Sequence, residues 1–531
     1  DFVVLLVGLL CLGGLGFYGG TGSPFFANGF FWNLGDIQGS GIATVSGSLT
    51  ATNTSTGTIR NTKELHITGG ATFTGSGFGM SDNAKFIVKT GGTATFNVTA
   101  SNVSVSGSST NLFELESGST LTKTGGSALN ILCPFKTTAA TINANGGTLS
   151  VGGSFTHTLD GGAIGIAASS IFGFSSGGTV TLTGVAVSGA GTLTVLAANA
   201  NVTVNTGTTV STKLNVAAGI LNDNVGLTPG EVTLGTNAFN AGTYSGTGSP
   251  TFSNGFTWIH GGFQGSGVVT VNSAMTVANI NPHTVTNTKE LLLAGVATFD
   301  AGFGLTLSST SKVTVASTGS AIFQGASAIS LTGTSATLFD IQSGGTLTKT
   351  NTGDLVASTA FSNGGTVNIV TGLFNLSSTF TNTGTIKGIG TLDLGTTNTN
   401  TGTFAPGLSP GTLTVVGNYV NSTLDFEIDA GPPVAKDLLN VTGNITLTGS
   451  TLNVSEIQCV PNGSYDIITY TGTRTGSFAT VNAPSGYTVA YDDAAKKVRL
   501  NYVDGVPTIV CQTDVSVTTD TGICTDSGVA L

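Results

Sequence analysis

Charged residues are scarce in this chain. Lys, Arg, Asp and Glu make up 8% of its 531 residues, against about 25% in ordinary globular proteins. With 16 Lys and Arg and a formal net charge of −10, the chain has no basic stripe, so we expect no nucleic-acid partner. It also has no run of like charges of the kind that marks an interaction tail. This acidic, lysine-poor and threonine-rich balance is typical of a secreted protein, so we expect an extracellular or outer cell-surface location.

Cysteine is scarce as well. Five cysteines are too few for a disulfide scaffold, and no CxxC or HxxxH spacing marks a metal site. We therefore expect no metal and no cofactor. Three cysteines have no partner that the sequence indicates, and we expect each to be free and buried as a small hydrophobic residue: Cys11, Cys133 and Cys459.

Long apolar runs are absent. The longest, from Phe2 to Leu12, is shorter than the roughly 20 residues that a membrane helix needs, so we expect no membrane-spanning segment. The run resembles the hydrophobic part of a signal peptide, although no methionine and no basic residue precedes it. For residues 1–16, a signal remnant and a buried strand pair in a first coil both stay open.

An internal repeat is the most informative feature that the chain does contain. The segment from Tyr18 to Trp32 reads YGGTGSPFFANGFFW, and 226 positions later the segment from Tyr244 to Trp258 reads YSGTGSPTFSNGFTW. The same offset relates the block NTKEL at 61–65 to its copy at 287–291, and FELESGSTLTKT at 113–124 to FDIQSGGTLTKT at 339–350. Repetition of this kind predicts a stacked, elongated architecture.

A finer pattern of short strands runs through each repeat. Stretches such as ELHITGGATFTG (64–75) and KFIVKTGGTATFNVT (85–99) alternate apolar with small polar residues, which is the period of a half-buried strand. Glycine-containing pairs separate the stretches, and glycine supplies the positive φ of tight turns. No segment has a convincing period of 3.6 residues, so we expect almost no helix.

Two architectures combine short strands with glycine turns. Separate β-sandwiches should recur at roughly 100 residues with linkers between them, whereas the strands here are closer together and no linker interrupts them. We therefore predict an all-β fold, a right-handed parallel β-helix whose coils of roughly 20 residues stack about 4.8 Å apart. The two homologous units are predicted at residues 1–226, which include the apolar lead segment 1–16, and at 227–403.

Residues 404–503 carry a resemblance to a known class of proteins. The sequence there contains FAPGLSPGTLTVVGN (404–418), DLLNVTGNITLTGSTLNV (437–454) and GSYDIITYTGTRTGSFATV (463–481). In this order the blocks resemble the closing segment of autotransporter-like and haemagglutinin-like β-helix adhesins of bacteria. The resemblance implies that 404–503 closes the β-helix as a β cap and that the preceding repeats are its coils.

The last residues resemble a second family. The segment VPTIVCQTDVSVTTDTGICTDSGVAL (506–531) is similar to the opening of a HYR (hyalin repeat) module, and four positions match its pattern: Pro507, Ile509, Cys511 and Cys524. The resemblance implies the beginning of an immunoglobulin-like sandwich at 504–531, with Cys511 and Cys524 joined in a disulfide. It also implies an adhesive, extracellular role and export across a bacterial outer membrane.

A few residues persist between the two repeats where most others differ. The persistent tryptophans are Trp32 and Trp258. The persistent charges are those of Lys63 and Glu64 with Lys289 and Glu290, of Glu114 with Asp340, and of Lys123 with Lys349. The charged residues are consistent with a shared turn or an ion pair between coils, and also with a lateral contact to another molecule. Each tryptophan is expected to fill the interior of a wide coil, although an exposed indole could stack on a sugar ring.

Catalytic groups are not evident. β-Helix enzymes that act on polysaccharides set several carboxylates on adjacent coils, whereas the densest acidic stretch here, Asp425, Glu427 and Asp429, lies on one face of one strand. Such a stripe could bind a cation, but a solvated outer face is the preferred interpretation. The histidines are scattered. We expect His66 in a packing or surface position, and the other three in turn or surface positions: His157, His260 and His283. We assign no catalytic residue and expect that the chain is not an enzyme.

These observations predict a structural protein. We expect a secreted or cell-surface fibre or adhesin stalk that associates with itself, or with glycans or proteins of a host or neighbouring surface. The alternative is a carbohydrate-active or carbohydrate-binding β-helix, which would require a groove with two or more converging carboxylates on one face. An ice- or surface-binding protein would need regular threonine ladders, and the threonine spacing in the sequence is too irregular to favour it.

Overall fold

The computed structural model describes residues 5–6, 10–12, 17–52, 57–175, 177–237, 239–278, 283–300, 302–395, 398–420, 422–429, 434–458 and 460–504. All regular secondary structure in these ranges is β-strand. No helix that is long and apolar enough to cross a bilayer occurs in the described ranges. The predicted HYR-like module, with Cys511 and Cys524, lies almost entirely outside them, as do Cys459 and the side chain of Cys11.

The chain divides into two compact units, Asp1–Thr314 and Val315–Leu531. This division does not coincide with the repeat boundary at residue 226, and the domain limits drawn from the sequence stay a prediction.

The strands of the first unit are short. In chain order they are β1 (Leu5–Leu6), β2 (Leu10–Leu12), β3 (Phe17–Tyr18), β4 (Phe25–Phe26), β5 (Phe30–Trp32), β6 (Asp36–Ile37), β7 (Ile42–Val45), β8 (Ser48–Ala51), β9 (Gly57–Ile59), β10 (Glu64–Ile67), β11 (Gly70–Thr74), β12 (Phe78–Met80), β13 (Lys85–Val88), β14 (Thr93–Asn97), β15 (Val103–Ser106), β16 (Leu112–Leu115), β17 (Thr120–Thr124), β18 (Leu129–Leu132), β19 (Phe135–Thr138), β20 (Thr141–Ala144), β21 (Thr148–Val151), β22 (Thr156–Asp160), β23 (Ala163–Ile166), β24 (Ile171–Phe174), β25 (Thr179–Thr183), β26 (Ala186–Ser188), β27 (Thr192–Val195), β28 (Asn201–Asn205), β29 (Thr209–Val210), β30 (Lys213–Val216), β31 (Gly219–Asp223), β32 (Val232–Leu234), β33 (Gly242–Ser245), β34 (Thr251–Phe252), β35 (Phe256–Trp258), β36 (Gly261–Phe263), β37 (Val268–Val271), β38 (Met275–Val277), β39 (His283–Val285), β40 (Glu290–Leu293), β41 (Val296–Phe299), β42 (Gly304–Leu307) and, across the point of division, β43 (Lys312–Val315).

The strands of the second unit lengthen toward its end. In chain order they are β44 (Ser320–Phe323), β45 (Ile329–Thr332), β46 (Leu338–Ile341), β47 (Thr346–Lys349), β48 (Leu355–Ala357), β49 (Ala360–Asn363), β50 (Thr366–Ile369), β51 (Leu373–Leu376), β52 (Phe380–Asn382), β53 (Thr385–Gly388), β54 (Thr391–Asp393), β55 (Asn398–Asn400), β56 (Thr403–Pro406), β57 (Thr412–Val416), β58 (Tyr419–Val420), β59 (Thr423–Asp429), β60 (Ala435–Lys436), β61 (Leu438–Thr442), β62 (Ile445–Thr446), β63 (Thr451–Glu456), β64 (Gly463–Tyr470), β65 (Arg474–Thr475), β66 (Thr480–Asn482), β67 (Tyr487–Asp492) and β68 (Lys497–Tyr502).

Most coils contribute one strand to each of three faces. In the first unit, β10 pairs in parallel with β13, β11 with β14, and β12 with β15. Much of the second unit follows the same rule, because β45 pairs with β48, β46 with β49, and β47 with β50. The spacing changes where β31 pairs with β33 and where β57 pairs with β61. Each unit is therefore a parallel β-solenoid, mostly with three strands to a coil, and the prediction of an all-β chain of stacked parallel coils is confirmed.

Coil length varies, whereas register is kept. Leu65 lies beside Phe86, Phe86 lies beside Phe113 27 positions later, and Phe113 lies beside Phe135 22 positions later. The turns absorb the difference, so equivalent side chains stay in one column. Alternate residues of each strand point inward, and the phenylalanine column is fully buried, with ring centroids 5.1 and 5.2 Å apart.

Threonine occupies much of the outer surface in the same way. On one face of the first unit, Thr50, Thr72, Thr95 and Thr122 lie side by side on successive coils. Threonine suits this position because its branched side chain fits a pleated surface and its hydroxyl stays hydrated. The scarcity of charge in the sequence thus corresponds to outer columns of neutral polar residues.

A column of buried amides runs through the second unit. Asn363 Nδ2 donates to Asn382 Oδ1 at 2.7 Å, Asn382 Nδ2 donates to Asn400 Oδ1 at 2.7 Å, and Asn400 Nδ2 donates to Ser422 Oγ at 2.9 Å. All four residues are buried. Each amide both donates and accepts, so the column satisfies polar groups that would otherwise be costly to bury.

Antiparallel pairing enters at the end of the second unit. Strand β68 pairs with β64 on one side and with β67 on the other, both in the antiparallel sense. Arg474 holds this hairpin through a bidentate pair with Asp493, in which both nitrogen–oxygen distances are 2.8 Å, and its guanidinium lies 4.6 Å from the centre of the Tyr491 ring.

Replacing Asn382 with alanine should destabilise the second unit. The change leaves Asn363 Nδ2 and Asn400 Oδ1 without their partner in a buried column, and each such loss costs about 1–3 kcal/mol. We expect the free energy of unfolding to fall by about 2 kcal/mol or more, measured by urea denaturation followed by circular dichroism. Thr381→Ala, at the exposed neighbouring position on β52, is the matched control and should change stability by less than about 0.5 kcal/mol. Equal effects of the two substitutions would contradict a role for the column.

Candidate functional site

Four lysines have buried side chains, and they form two pairs related by the 226-residue repeat. They are Lys63, Lys123, Lys289 and Lys349, each at most 1% exposed. Lysine is almost never buried without a partner, so the contacts of these ammonium groups decide what the residues do.

The ammonium of Lys63 is held by backbone carbonyls from earlier coils. Its Nζ donates to the oxygens of Gly20, Gly22 and Ser40 at 3.3, 2.9 and 2.7 Å. Gly20 has a φ of 135°, a conformation that side chains other than hydrogen rarely allow. The three donors of the ammonium therefore match three carbonyl oxygens of the turns.

Lys289 makes the same contacts as Lys63, with the equivalent residues of the second repeat. Its Nζ donates to the carbonyl oxygens of Gly246 and Gly248 at 3.1 and 3.3 Å and also to that of Ser266. Each of these acceptors lies 226 positions after its counterpart at Lys63. Burial lowers the pKa of Lys289, and the carboxylate of Asp223 opposes this effect.

The second lysine pair, Lys123 and Lys349, forms hydrogen bonds with the carbonyl oxygens of other turns further along the chain. Lys123 Nζ donates to the carbonyl oxygen of Gly125 at 2.5 Å and to that of Gly146 on the next coil. In the other copy, Lys349 Nζ donates to the carbonyl oxygens of Asn351, Gly353 and Thr371 at 2.7, 2.9 and 2.8 Å. Burial lowers the pKa of Lys349 to about 8. All four lysines therefore tie the turns of neighbouring coils together.

The glutamates that follow the first lysine pair lie on the outer surface. Glu64 accepts from Lys85 Nζ at 2.7 Å and contacts His66 Nε2 at 2.9 Å, while Glu290 accepts from Thr314 Oγ1 at 2.5 Å. Burial tends to raise the pKa of Glu64, but the hydrogen bonds and charges of its two partners hold that pKa below its usual value. These glutamates therefore connect adjacent coils, and a lateral contact with another molecule stays a prediction.

Both tryptophans lie in the interior. Trp32 is 3% exposed and Trp258 is 0% exposed. Their Nε1 groups donate to the carbonyl oxygens of Gly35 and Gly261 at 3.0 and 3.2 Å, again at equivalent positions of the repeat. Neither indole face is open to a sugar in solution.

Two histidines occupy unexpected places. His157 and His283 are fully buried in strands β22 and β39, so the expectation of turn or surface positions for them is wrong. Neither ring nitrogen of His157 has a hydrogen-bond partner in the described part of the chain. The ring of His283 lies between Trp258 and Phe303, with centroids 4.8 Å from each. Burial lowers the pKa of each histidine to about 4.

Cys133 is free and buried, in agreement with its interpretation as a small hydrophobic residue. Burial raises the pKa of its thiol to about 12. Such a thiol stays protonated at neutral pH and is therefore unreactive.

A cleft of about 530 Å³, lined by both polar and apolar groups, lies on the outside of the second unit. Its walls come from the ends of β53, β56, β59 and β63 and from the loop after β56. The lining residues are Lys387, Ala405, Pro406, Gly407, Leu408, Ser409, Asp425, Phe426, Glu427, Asp437, Asn453, Val454 and Ser455. Two of the three acidic residues singled out in the sequence, Asp425 and Glu427, are thus brought to one cleft together with an acid that was not singled out, Asp437.

Asp437 is the most deeply placed of these acids, at 1% exposure. Its Oδ1 accepts from the backbone N–H of Gly411 at 2.8 Å, and its Oδ2 accepts from the backbone N–H of Glu427 at 2.8 Å. Burial raises the pKa of Asp437 to about 7, although the two amide hydrogen bonds oppose the rise. The carboxyl group therefore fastens the loop after β56 to strand β59.

The acidic stripe on β59 has a half-buried outer face. Asn453 Nδ2 donates to Asp425 Oδ1 at 2.7 Å, so the neighbouring coil orients that carboxylate. Within the described ranges, no group of three or more histidine, cysteine, aspartate or glutamate side chains is arranged to hold a metal ion.

Comparison of the sequence with protein-family models finds no match, and comparison with curated proteins finds none either. The resemblances to bacterial β-helix adhesins and to HYR modules therefore depend on their own motifs, and the geometry of the chain has to carry the functional argument.

Replacing Lys63 with methionine should destabilise the first unit strongly. The substitution keeps the apolar stem but removes the donor from the carbonyl oxygens of Gly22 and Ser40, while that of Gly20 still accepts from the backbone N–H of Ser40. Each buried acceptor left unpaired costs about 1–3 kcal/mol, so we expect a loss of about 2 kcal/mol or more in urea unfolding. Lys85→Met is the control, because Lys85 is 40% exposed in its pair with Glu64 and such pairs contribute less than about 1 kcal/mol. A loss for Lys63→Met no larger than that of the control would rule out the clamp.

Replacing His157 with leucine should reduce the sensitivity of the protein to acid. Because the pKa of His157 is about 4 in the folded chain and about 6.5 in the unfolded chain, the unfolded chain binds more protons between these values. The free energy of unfolding therefore decreases as the pH falls from about 6.5 to about 4. His157→Leu should flatten this slope in part, since His283 still contributes, as measured by urea midpoints across that range. Thr158→Ala, at an exposed position beside it, should leave the slope unchanged.

Proposed function

We propose that the chain is a structural protein of the cell exterior, a secreted or surface-attached β-solenoid that serves as a fibre or adhesin stalk. The observation that carries the proposal is the in-register stacking of parallel coils within each unit. Most strands within a stack bond to the coil before and the coil after, and buried lysines tie the turns together. A body built in this way is stiff along its stacking direction, which suits a role in holding a binding surface away from a cell.

The motifs at 404–503 and at 506–531 refine this proposal. They favour a bacterial adhesin of the autotransporter-like or haemagglutinin-like kind that carries a HYR module, exported to the outer cell surface. Its partners would be copies of itself, or glycans or proteins of a host or neighbouring surface. The role is mechanical, so the proposal includes no catalytic step and no nucleic-acid partner.

Self-association has a candidate surface in the second unit. Strand β66 pairs with β63, and all three of its residues are exposed. Among the described strands, none pairs with its other edge. Open strand edges pair readily with another chain unless they are covered or charged, so this edge offers a route to end-to-end filaments.

Imaging of the purified full chain tests both parts of the proposal. We expect elongated particles in negative-stain or cryo-electron micrographs, and longer fibres as the concentration rises. Val481→Lys places a charge in the middle of β66, where Val481 is 42% exposed, and should shorten or abolish the fibres because charged edges resist pairing. Thr381→Ala is the control and should assemble like the unchanged chain.

The possible outcomes separate the two parts. Compact, rounded particles would contradict the stalk proposal. Elongated single particles that never join, in the unchanged chain and in Val481→Lys alike, would keep the stalk and remove self-association. Fibres that survive Val481→Lys would show that another surface joins the copies.

A further inference from the structure

The cleft on the second unit has a floor made of two adjacent coils. Asp425 on β59 lies beside Asn453 on β63, and Glu427 lies beside Ser455 in the same register. Alternate residues of a strand point to the same side, and neighbouring coils are about 4.8 Å apart. The floor is thus a two-by-two grid of polar side chains, two from each coil.

The loop after β56 forms the opposite wall, and Asp437 determines where it lies. Asp437 accepts hydrogen bonds from both Gly411 in the loop and Glu427 on the floor. At Gly407, with a φ of 97°, a Cβ atom would come within 2.3 Å of Asp437 Oδ1. The wall therefore approaches as closely as glycine allows, and Asp437 is a positioning residue for the cleft.

The chemistry of the lining restricts the ligand. Three carboxylates and one lysine, Lys387, line the described cleft, so an anionic ligand such as a uronate or sulfated glycan would be repelled. Among the described residues, no group of three or more acidic, histidine or cysteine side chains is arranged to hold a metal ion. Carboxylate, amide and hydroxyl groups together offer both acceptors and donors, which suits a ligand rich in hydroxyl groups.

The volume of the cleft and the apolar side chain exposed on its wall also fit a ligand rich in hydroxyl groups. A volume of 530 Å³ falls within the roughly 300–1,000 Å³ of sites that hold small ligands. Leu408, on the wall, is 47% exposed. An exposed aliphatic side chain beside a polar floor matches the two-sided character of a sugar ring, whose hydroxyl edge is polar and whose carbon–hydrogen face is apolar.

We propose that this cleft binds a short stretch of a neutral glycan, with the carboxylates of Asp425 and Glu427 accepting hydrogen bonds from sugar hydroxyls and Ser455 contributing its hydroxyl. Asn453 fixes the floor, because its amide donates to Asp425 and accepts from Asn482. The chain then carries a recognition site on the outer surface of its second unit. This inference does not rest on the stalk proposal, because it concerns one cleft and requires no self-association.

Binding to defined probes tests the inference with the full chain. Short neutral oligosaccharides of glucose, mannose, galactose and N-acetylglucosamine are compared with an oligogalacturonate and with an oligolysine peptide, by saturation-transfer NMR and calorimetry. We expect at least one neutral probe to bind and the uronate not to bind. The double variant Asp425→Asn, Glu427→Gln should weaken neutral binding by about tenfold or more, because hydrogen bonds to charged groups are the stronger ones.

Control variants distinguish the loss of a binding contact from the loss of the folded structure. The double variant must have the urea midpoint of the unchanged chain, and if it does not, the single variants Ser455→Ala and Leu408→Ala take its place, each with an expected weakening of a few fold. Thr381→Ala, on a different face of the unit, should bind as the unchanged chain does. Binding to none of the neutral probes, stronger binding of oligolysine or the uronate, or undiminished binding by the variants overturns the proposal. None of these results depends on whether fibres form.

Discussion

The structure depends on one constraint. The backbone N–H and C=O groups of each coil must form hydrogen bonds with the coil before it and with the coil after it. Parallel strands meet this requirement along the faces, but the turns at the corners leave carbonyl oxygens that point inward. An unpaired buried carbonyl is costly. The four buried lysines answer this need, because one ammonium reaches carbonyls from two or more turns at once. Their apolar stems fill the interior, and the dipoles of the surrounding carbonyl groups solvate the ammonium charge.

This constraint also explains why the two repeats preserve so few residues. Apolar positions inside a coil can exchange one hydrophobic side chain for another, and outer positions can exchange among threonine, serine and asparagine. A buried lysine that contacts particular carbonyls cannot be replaced by another side chain without losing those contacts. For Lys63 and Lys289 the residues that present the carbonyls, two glycines and a serine, are the same in both repeats. Trp32 and Trp258 are kept for a related reason, since each donates a hydrogen bond to a glycine carbonyl in its own turn.

The parallel stacking of coils follows from the alternation in the sequence and from the glycine turns, and it could be predicted without coordinates. The buried lysines and histidines could have been found too. Lys63 lies two positions before Leu65, and His157 lies two positions before Leu159. Because alternate residues of a strand point to the same side, both side chains are placed inside with those leucines. Against that signal stands the general tendency of lysine to lie outside and of histidine to be only partly buried. The cleft was beyond prediction, because it joins Asp425 to Asn453, 28 positions later, through coil lengths that follow no fixed period.

In such a fold, the apolar columns and the buried polar contacts contribute differently to stability and to the choice of strand register. A strand that slips by two residues against its neighbour keeps every apolar side chain inside, so hydrophobic burial alone distinguishes poorly between registers. The same slip moves Lys63 away from Gly20, Gly22 and Ser40, and breaks the chain of amides through Asn382. Each broken contact leaves buried polar atoms without partners, which is far more costly than a rearranged methyl group. The apolar columns therefore supply most of the stability, and the few buried polar groups select the one register in which the outer side chains, including those of the cleft, line up.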